Sequence, residues 1–361
     1  MVTSARLPVL WLCGAPATGK STVAWQVFND LADQGLCVGY LDIDQIGMLA
    51  PPPDADSRCH RFKVDNLAAM VRNYRAAGTQ ILVMSGVIDP EHGHDFTEAA
   101  SDADIMFCHL TVDEPTLRER LAARGWPGEA ADEAMIMMSD LADAPFVATV
   151  IDTTGRDPAG LAREAATLVT AAPSTPDAQE LLECAAGDVT IIIGPRAVGK
   201  SSVSWGMAMR RWVSGECTVY VDLDQVGFLR PAPSDGSLQA ANLAVIWRNA
   251  LSRGAHRLIA NGMVTTNEDL AILRHAVRPA RVHALRLAAN PDTLWERIRA
   301  RSASSPARLI NDDLENAAPS VQRHVHRVAV AQNLEYAASN LGDYVIDTTN
   351  LCIEEAVEQA L

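Results

Sequence analysis

Apolar residues fall in the first half of the chain as short runs at 8–13, 37–43, 80–85, 105–111 and 146–151. Between them lie stretches of helical spacing near 20–34, 60–77, 91–101, 114–124 and 157–171, the first closed by Gly35 in a C-cap position. Strands that are apolar on both faces and separated by helices predict a parallel sheet covered on both sides. Right-handed crossovers then bring every strand's C-terminal end, and the loop after it, to one edge.

The same pattern is written a second time. Gly14-Ala-Pro-Ala-Thr-Gly19-Lys20-Ser21 recurs 180 residues later as Gly194-Pro-Arg-Ala-Val-Gly199-Lys200-Ser201. Trp25 matches Trp205, and Tyr40-Leu-Asp42-Ile-Asp44-Gln45 matches Tyr220-Val-Asp222-Leu-Asp224-Gln225. Asn66-Leu-Ala corresponds to Asn242-Leu-Ala, Leu117-Arg-Glu-Arg120 with Arg124 to Leu294-Trp-Glu-Arg297 with Arg301, and Val150-Ile-Asp152-Thr-Thr to Val345-Ile-Asp347-Thr-Thr. So long a period means whole domains rather than solenoid units. The expected division is a first domain over 1–172, a Pro/Ser/Ala-rich linker over 173–187 and a second domain over 188–361, with a helix-like segment, Ala178 to Ala186, leading into the second copy.

Charge narrows the partners. The 361 residues carry a net charge of −15, divided between 1–172 (12 basic against 24 acidic) and 173–361 (18 against 21). An acidic chain with no basic run repels a phosphate backbone, so nucleic acid is not an expected partner. Seven scattered cysteines without a C-x-x-C pair argue against a disulfide framework and a zinc–cysteine site, and fit a reducing cytosol. The run Val9–Cys13 stops at Gly14, too short for a secretion signal, and no stretch approaches the ~20 apolar residues of a membrane span. The expectation is a cytoplasmic protein with no membrane partner.

The repeated Gly-rich motif carries the chemistry. G-x-x-x-x-G-K-[ST] between a strand and a helix wraps backbone N–H groups around a nucleotide phosphate, with lysine on the β/γ oxygens and the hydroxyl on Mg²⁺. At this composition one chance match is expected in roughly 10⁻³ of such chains, and two in register is not accident. The chain has only three lysines against 27 arginines, and two of the three are Lys20 and Lys200. A compact ammonium has been kept where phosphates converge. The cofactor-binding set is therefore Gly14, Gly19, Lys20, Ser21 and Thr22, with Gly194, Gly199, Lys200, Ser201 and Ser202 in the second copy.

Absent motifs exclude several nucleotide-binding classes. There is no Asn-Lys-x-Asp guanine reader and no Leu-Ser-Gly-Gly signature. The second strand run ends instead in Asp-x-Asp, whose period of two points both carboxylates the same way. Asp42 and Asp222 are assigned to Mg²⁺ with Ser21 and Ser201, and Asp44 and Asp224 to the acceptor hydroxyl as base, a division that could equally be reversed.

With Ser85-Gly86 (Asn261-Gly262) after the third strand run, Asp113-Glu-Pro-Thr-Leu-Arg-Glu-Arg120 and the terminal Val-Ile-Asp-Thr-Thr, each copy resembles the small-molecule P-loop kinases. That group includes shikimate kinase, gluconate kinase, adenylylsulfate kinase and chloramphenicol phosphotransferase. The resemblance implies an α/β chain of two P-loop NTPase, nucleoside-kinase-like three-layer domains with parallel five-stranded sheets, in tandem. It implies ATP and Mg²⁺ as cofactors and a small-molecule hydroxyl as acceptor. Arg120, Arg124, Arg297 and Arg301 would close as a lid on the transferring phosphate, or are solvated helix-face residues. Asp152-Thr153 and Asp347-Thr348 would pack around adenine, or form a polar turn.

The copies differ on the acceptor side. From Pro53 to Asn66 the first carries Arg58, His60, Arg61 and Lys63, whereas Pro233 to Asn242 is four residues shorter and holds no basic residue. Arg58, Arg61, Gly86 and Gly262 join Asp44 and Asp224 as expected acceptor-binding residues, the first copy suiting an anionic group. The second copy spends 44 positions from Arg301 to Val345 where the first spends 26 from Arg124 to Val150, and adds Arg308, Arg323, His324, His326 and Arg327. Two explanations compete: separate roles for the halves, or residues shared across an intramolecular pseudo-dimer. His92-Gly-His94 lacks a third metal ligand in the sequence and reads as a surface loop, and Met135-Ile-Met137-Met138 reads as a core face or lid contact. The nearest alternative activity is a nucleoside or nucleotide kinase. The alternative of another class is a nucleotide-binding regulatory or scaffold protein.

Overall fold

The computed structural model describes residues 6–174, 176, 184–233, 235–303, 310 and 312–361. Most of the Ala178 to Ala186 segment and Arg308 lie outside them. The first half runs β1 (Leu7–Cys13), α1 (Lys20–Asp33), β2 (Val38–Asp42), β3 (Leu49–Ala50), α2 (His60–Ala76), β4 (Ile81–Ser85), α3 (Gly93–Ala99), β5 (Ala103–Thr111), α4 (Glu114–Ala122), α5 (Gly128–Ala142), β6 (Val147–Asp152) and α6 (Pro158–Ala166). The second runs β7 (Asp188–Ile193), α7 (Lys200–Val213), β8 (Thr218–Asp222), β9 (Phe228–Arg230), α8 (Ser237–Leu251), β10 (Arg257–Asn261), α9 (Asn267–Ala276), β11 (Arg281–Ala288), α10 (Pro291–Ala303), α11 (Pro319–Ala338), β12 (Tyr344–Asp347) and α12 (Ile353–Ala360).

The five apolar runs of the first half become the five parallel strands, in the order β6-β5-β1-β4-β2. Val9 to Cys13 of β1 are completely buried on both faces, which is why the strand reads as a continuous apolar run. Helices α1 and α6 pack together, as do α2 and α3. The second sheet repeats this order as β12-β11-β7-β10-β8. In both sheets the strand carrying the Gly-rich motif at its C-terminal end is central, with neighbours leading away on either side. An open α/β sheet binds ligands at such a switch point.

Each sheet has a sixth strand, which corrects the expected five. β9 pairs antiparallel with β2, Phe228 opposite Tyr40, and β3 pairs antiparallel with β8, Leu49 opposite Val219. The chain divides into two compact units: unit 1 is Met1–Gly47, His60–Glu180 and Gly227–Ser234, and unit 2 is Met48–Cys59, Leu181–Val226 and Asp235–Leu361. The contiguous domains expected over 1–172 and 188–361 are thus each interrupted, because each half of the sequence lends the other unit its edge strand. The lent segment of unit 1 is held by side chains as well as by its ladder. Phe228 packs edge-on to Trp25 at 5.0 Å between ring centroids, and Arg230 donates to Asn29 Oδ1 at 2.7 Å.

Helix α5, absent from the expected elements, buries Ala131, Ala134 and Met138 against Ala15 and Ala17 of the Gly-rich loop and against Leu117 and Leu121 of α4. Met135, Met137 and Met138 therefore pack on a core face that buttresses the loop, while Ile136 of the same run is exposed. Among the described residues no helix is long and apolar enough to cross a membrane.

Candidate active site

The two Gly-rich loops adopt one backbone. Gly14 and Gly194 have φ of 148° and 147°, Ala17 and Ala197 of 64° and 60°, and Gly19 and Gly199 of 98° and 104°. Gly14 is required: a Cβ there would lie 2.6 Å from the Leu110 carbonyl oxygen, and at Gly194 2.6 Å from that of Leu287. Gly19 and Gly199 are the N-caps of α1 and α7, so the first N–H groups of each helix open onto the loop without intrahelical partners.

Both lysines turn back into their loops. Lys20 Nζ donates to Ala15 O at 2.7 Å, and Lys200 Nζ to Gly194 O and Pro195 O, both at 3.1 Å. Burial lowers the Lys20 ammonium to about 8, against the opposing pull of Asp44 and Asp42. Burial lowers Lys200 too, against Asp224 and Asp222. A buried ammonium held only by carbonyls and nearby carboxylates is poised for a multivalent anion.

The Asp-x-Asp pairs sit beside the lysines. Asp42 and Asp222 end β2 and β8, and each caps a 3₁₀ turn by accepting from the N–H of Asp44 (2.9 Å) or Asp224 (3.0 Å). Asp42 Oδ2 also accepts from Ser85 Oγ at 2.8 Å and lies 3.5 Å from Ser21 Oγ. Behind it, Ser85 is hydrogen-bonded to the buried Tyr40 hydroxyl at 2.8 Å. Burial first, and the adjacent Asp44 charge second, raise the Asp42 carboxyl to about 6; Asp222 is raised to about 6 by burial and then by Asp224. In unit 2 Asn261 stands where Ser85 stands, accepting from Tyr220 OH at 2.8 Å and Ser204 Oγ at 2.6 Å, with its amide 3.4 Å from Ser201 Oγ. Gly86 and Gly262 come directly after the strands that carry Ser85 and Asn261. A Cβ on Gly86 would come within 2.4 Å of Ile43, and one on Gly262 within 2.7 Å of Leu223, so both must be small for the carboxylate turn to pack.

Lys63, named in the sequence only as part of a basic stretch, is brought to Asp44. Its Nζ is 2.8 Å from Asp44 Oδ1. The lysine stem passes over Gly47, where a Cβ would lie 2.4 Å from Lys63 Cε. All three lysines of the chain are therefore at the two sites. Scarcity of lysine was the signal, and it applied to the third as much as to the first two. Asp224 has instead the Met263 N–H, at 2.8 Å, and burial raises its carboxyl.

The remaining expected residues separate. Arg120 donates to Ala17 O (3.2 Å), and Thr153 Oγ1 to Thr18 O (3.1 Å) and Thr111 O (2.9 Å). Arg297 donates to Val198 O (2.7 Å) and to both Thr348 Oγ1 and O (2.8 Å each). These residues tie the Gly-rich loop to the loop after the last strand. Asp152 and Asp347 organise that loop by accepting from Thr154 and Thr349. Arg124 is exposed, with its charge bearing on Lys20, while Arg301 is paired with the buried Asp312 at 2.9 Å. Thr22, Ser201 and Ser202 are exposed at the helix starts. Arg61 is exposed on α2, but Arg58 falls in the segment belonging to unit 2, so the basic stretch of the first copy is divided. In α11 Arg323, His324 and Arg327 are exposed and His326 contacts Pro291 O at 2.9 Å.

The family whose profile matches this chain is described as an AAA domain, over residues 9–140. The carboxylates of the site are nonetheless Asp-x-Asp rather than Asp-Glu. No curated protein matches. Among solved structures, the tunicamycin resistance protein of Deinococcus radiodurans is 19% identical with a TM-score of 0.37, over 46% of this chain and 99% of its own. A gluconokinase from Sinorhizobium meliloti is 18% identical with a TM-score of 0.33, over 45% and 91%. The shikimate kinase of Acinetobacter baumannii, in complex with shikimate, is 16% identical with a TM-score of 0.32, over 45% and 92%. The fold is α/β, with a Gly-rich loop at the switch point of each sheet, and none of these solved structures matches the chain closely.

Proposed function

We propose that this chain is an ATP- and Mg²⁺-dependent phosphotransferase that moves the γ-phosphoryl group to a hydroxyl of a small molecule, built as two copies of one kinase-like fold. The observation that carries the reading is the meeting, at one sheet edge of each unit, of a Gly-rich loop, a buried lysine and a paired carboxylate. The donor set suits the cofactors. Ser21 and Asp42, or Ser201 and Asp222, offer the hard oxygen atoms that Mg²⁺ takes, and burial without a bound cation raises both aspartates. When bound, Mg²⁺ would neutralise charge on the phosphate oxygens.

The protein's own groups would do the rest. Lys20 would release Ala15 O and bind phosphate, and the opening N–H groups of α1 would hold the same anion. Asp44 would orient the acceptor hydroxyl and take its proton, with Lys63 fixing the carboxylate. With Arg61 on the same helix, Lys63 favours an acceptor bearing an anionic group in unit 1. In unit 2 Asp224 is held by a backbone N–H, Arg301 by Asp312 and Arg196 by Asp313. That favours a nucleotide-binding, regulatory unit 2 as the second reading.

ADP release would be followed with sugars, hydroxy acids, antibiotics and nucleosides, using Lys20→Ala and Lys200→Ala separately. Losing one transition-state contact of this kind costs about 10²–10³ in turnover, so Lys20→Ala is expected to remove nearly all acceptor-dependent release. Two partial losses would mean that both units turn over, and no loss in either variant would end the kinase reading. A response to nucleosides alone would assign the acceptor to the nucleoside class.

A further inference from the structure

Outside the phosphate site, one group of side chains on unit 1 converges without an assigned task. His60 opens α2, and His92 and Asp95 lie on the loop and first turn beyond β4. His60 Nε2 is 2.9 Å from Asp95 Oδ2, and His92 Nδ1 is 3.5 Å from the same oxygen. One ligand atom from each of the three residues lies within 4.8 Å of the others. The two imidazoles are 4.7 Å apart at 33°, and the His60 ring abuts the buried Phe96 edge-on at 5.1 Å, which orients it from the core side.

We propose that His60, His92 and Asp95 form a binding site for a first-row transition-metal dication, Zn²⁺ foremost, separate from the phosphate-associated Mg²⁺. A single histidine would satisfy Asp95 Oδ2 as a hydrogen-bond acceptor. A second ring nitrogen at the same oxygen adds a lone pair, and two imidazoles with one carboxylate are the donor set for Zn²⁺, Fe²⁺ or Co²⁺ rather than for Mg²⁺ or Ca²⁺. Three protein ligands leave positions for water or a ligand oxygen. His92 and the half-exposed Asp95 keep the site open to ion exchange, while Asp89 and Glu91 add negative charge on the same loop.

Of the His92-Gly-His94 pair only His92 takes part: the other two ligands are His60 from α2 and Asp95 from α3, while the His94 ring lies against Phe146 at 6.0 Å between centroids. Counting from the matched pairs Asn66/Asn242 and Gly86/Gly262, unit 2 has Gly236, Glu268 and Ala271 at these positions. The site therefore belongs to unit 1 alone. Its ion would fasten the start of α2, one turn before Lys63, to the loop beyond β4.

Chelator-stripped full-length protein would be dialysed against Zn²⁺ in excess Mg²⁺, and bound metal measured for the native chain and for His60→Ala, His92→Ala, Asp95→Asn and His94→Ala. One Zn²⁺ per chain is expected to weaken by about tenfold or more in the first three variants and to persist in His94→Ala. His92 is exposed, so His92→Ala decides the matter without threatening the fold. Native affinity in that variant, no Zn²⁺ on the native chain, or a Co²⁺ spectrum with thiolate charge transfer would each overturn the site.

Discussion

In unit 1 the second carboxylate of the pair, Asp44, faces the Lys63 ammonium at 2.8 Å; in unit 2 its counterpart, Asp224, accepts from the Met263 N–H at the same distance. Behind them a serine in one unit is an asparagine in the other, although the tyrosine hydroxyl contacts both at 2.8 Å. The nucleotide side shows no such divergence, since the three special φ angles of the two loops agree within 6°. On the proposed function, loop geometry would answer to a phosphate whose shape is fixed, and it agrees between the halves. The carboxylate side would answer to a particular small molecule, and there the halves differ. An ion pair as exposed as Lys63–Asp44 contributes only about 0.2–1 kcal/mol to stability, so its value lies in placing the carboxylate.

Replacing the carboxylates breaks the comparison most sharply. Asp44→Asn keeps the side-chain shape and removes the base, and acceptor phosphorylation is expected to fall by about 10²–10⁴-fold while nucleotide affinity is retained. Asp224→Asn is expected to leave turnover within about twofold if unit 2 regulates rather than transfers. Single-turnover ADP release with equilibrium nucleotide binding checks both. Equal losses would show that a cation on the carboxylate is not what distinguishes the units, and native turnover in Asp44→Asn would remove its assignment as base.

Lys63 gives a smaller and more specific effect. As a positioning residue it should show in the acceptor KM more than in kcat. Lys63→Met is expected to raise the acceptor KM by about tenfold while kcat changes less, since the carboxylate loses the ammonium that fixes it. Lys63→Arg should recover part of this, because the charge survives although the path over Gly47 does not suit a planar fork. A KM unchanged in Lys63→Met would make the pair an incidental surface contact.

How much of this was readable beforehand depends on the range of the interactions. Central strands such as β1 and β4 announce themselves because both faces are buried, and the Gly-rich loop because glycine and lysine are required at fixed spacing. β3 and β9 do not, since two or three residues carry no period and their pairing is decided by a strand some 180 residues distant. Lys63 was visible, but its aim at Asp44 depends on the bare Cα of Gly47. The Asp95 ligand was hidden for a similar reason, being joined to His60 by packing across 35 positions of chain. Helix α5 escaped because its buried positions, Ala131, Ala134 and Met138, are mostly small and make only a narrow stripe, packed on the Gly-rich loop and on α4.

The smallest effect tests what the two units share. Asp42 and Asp222 are both raised to about 6, chiefly by burial, against about 3.9 for an unfolded aspartate. The folded apo-protein thus holds protons that the unfolded chain has released. These groups contribute stability fully present below about pH 4 and lost as the pH rises through 6. Asp42→Asn keeps an acceptor for the Asp44 N–H and removes the charge. Its apo melting temperature is expected to exceed the native one by roughly 2–8 °C at pH 7–8, with the gap closing toward pH 4. Asp222→Asn should do the same, because burial rather than the divergent acceptor groups is the cause in both. Thermal melts of the apo-protein from pH 4 to 8 check this. A gap that widens toward acid would mean that the carboxylates are stabilised as anions, and that the loops are not waiting for a cation.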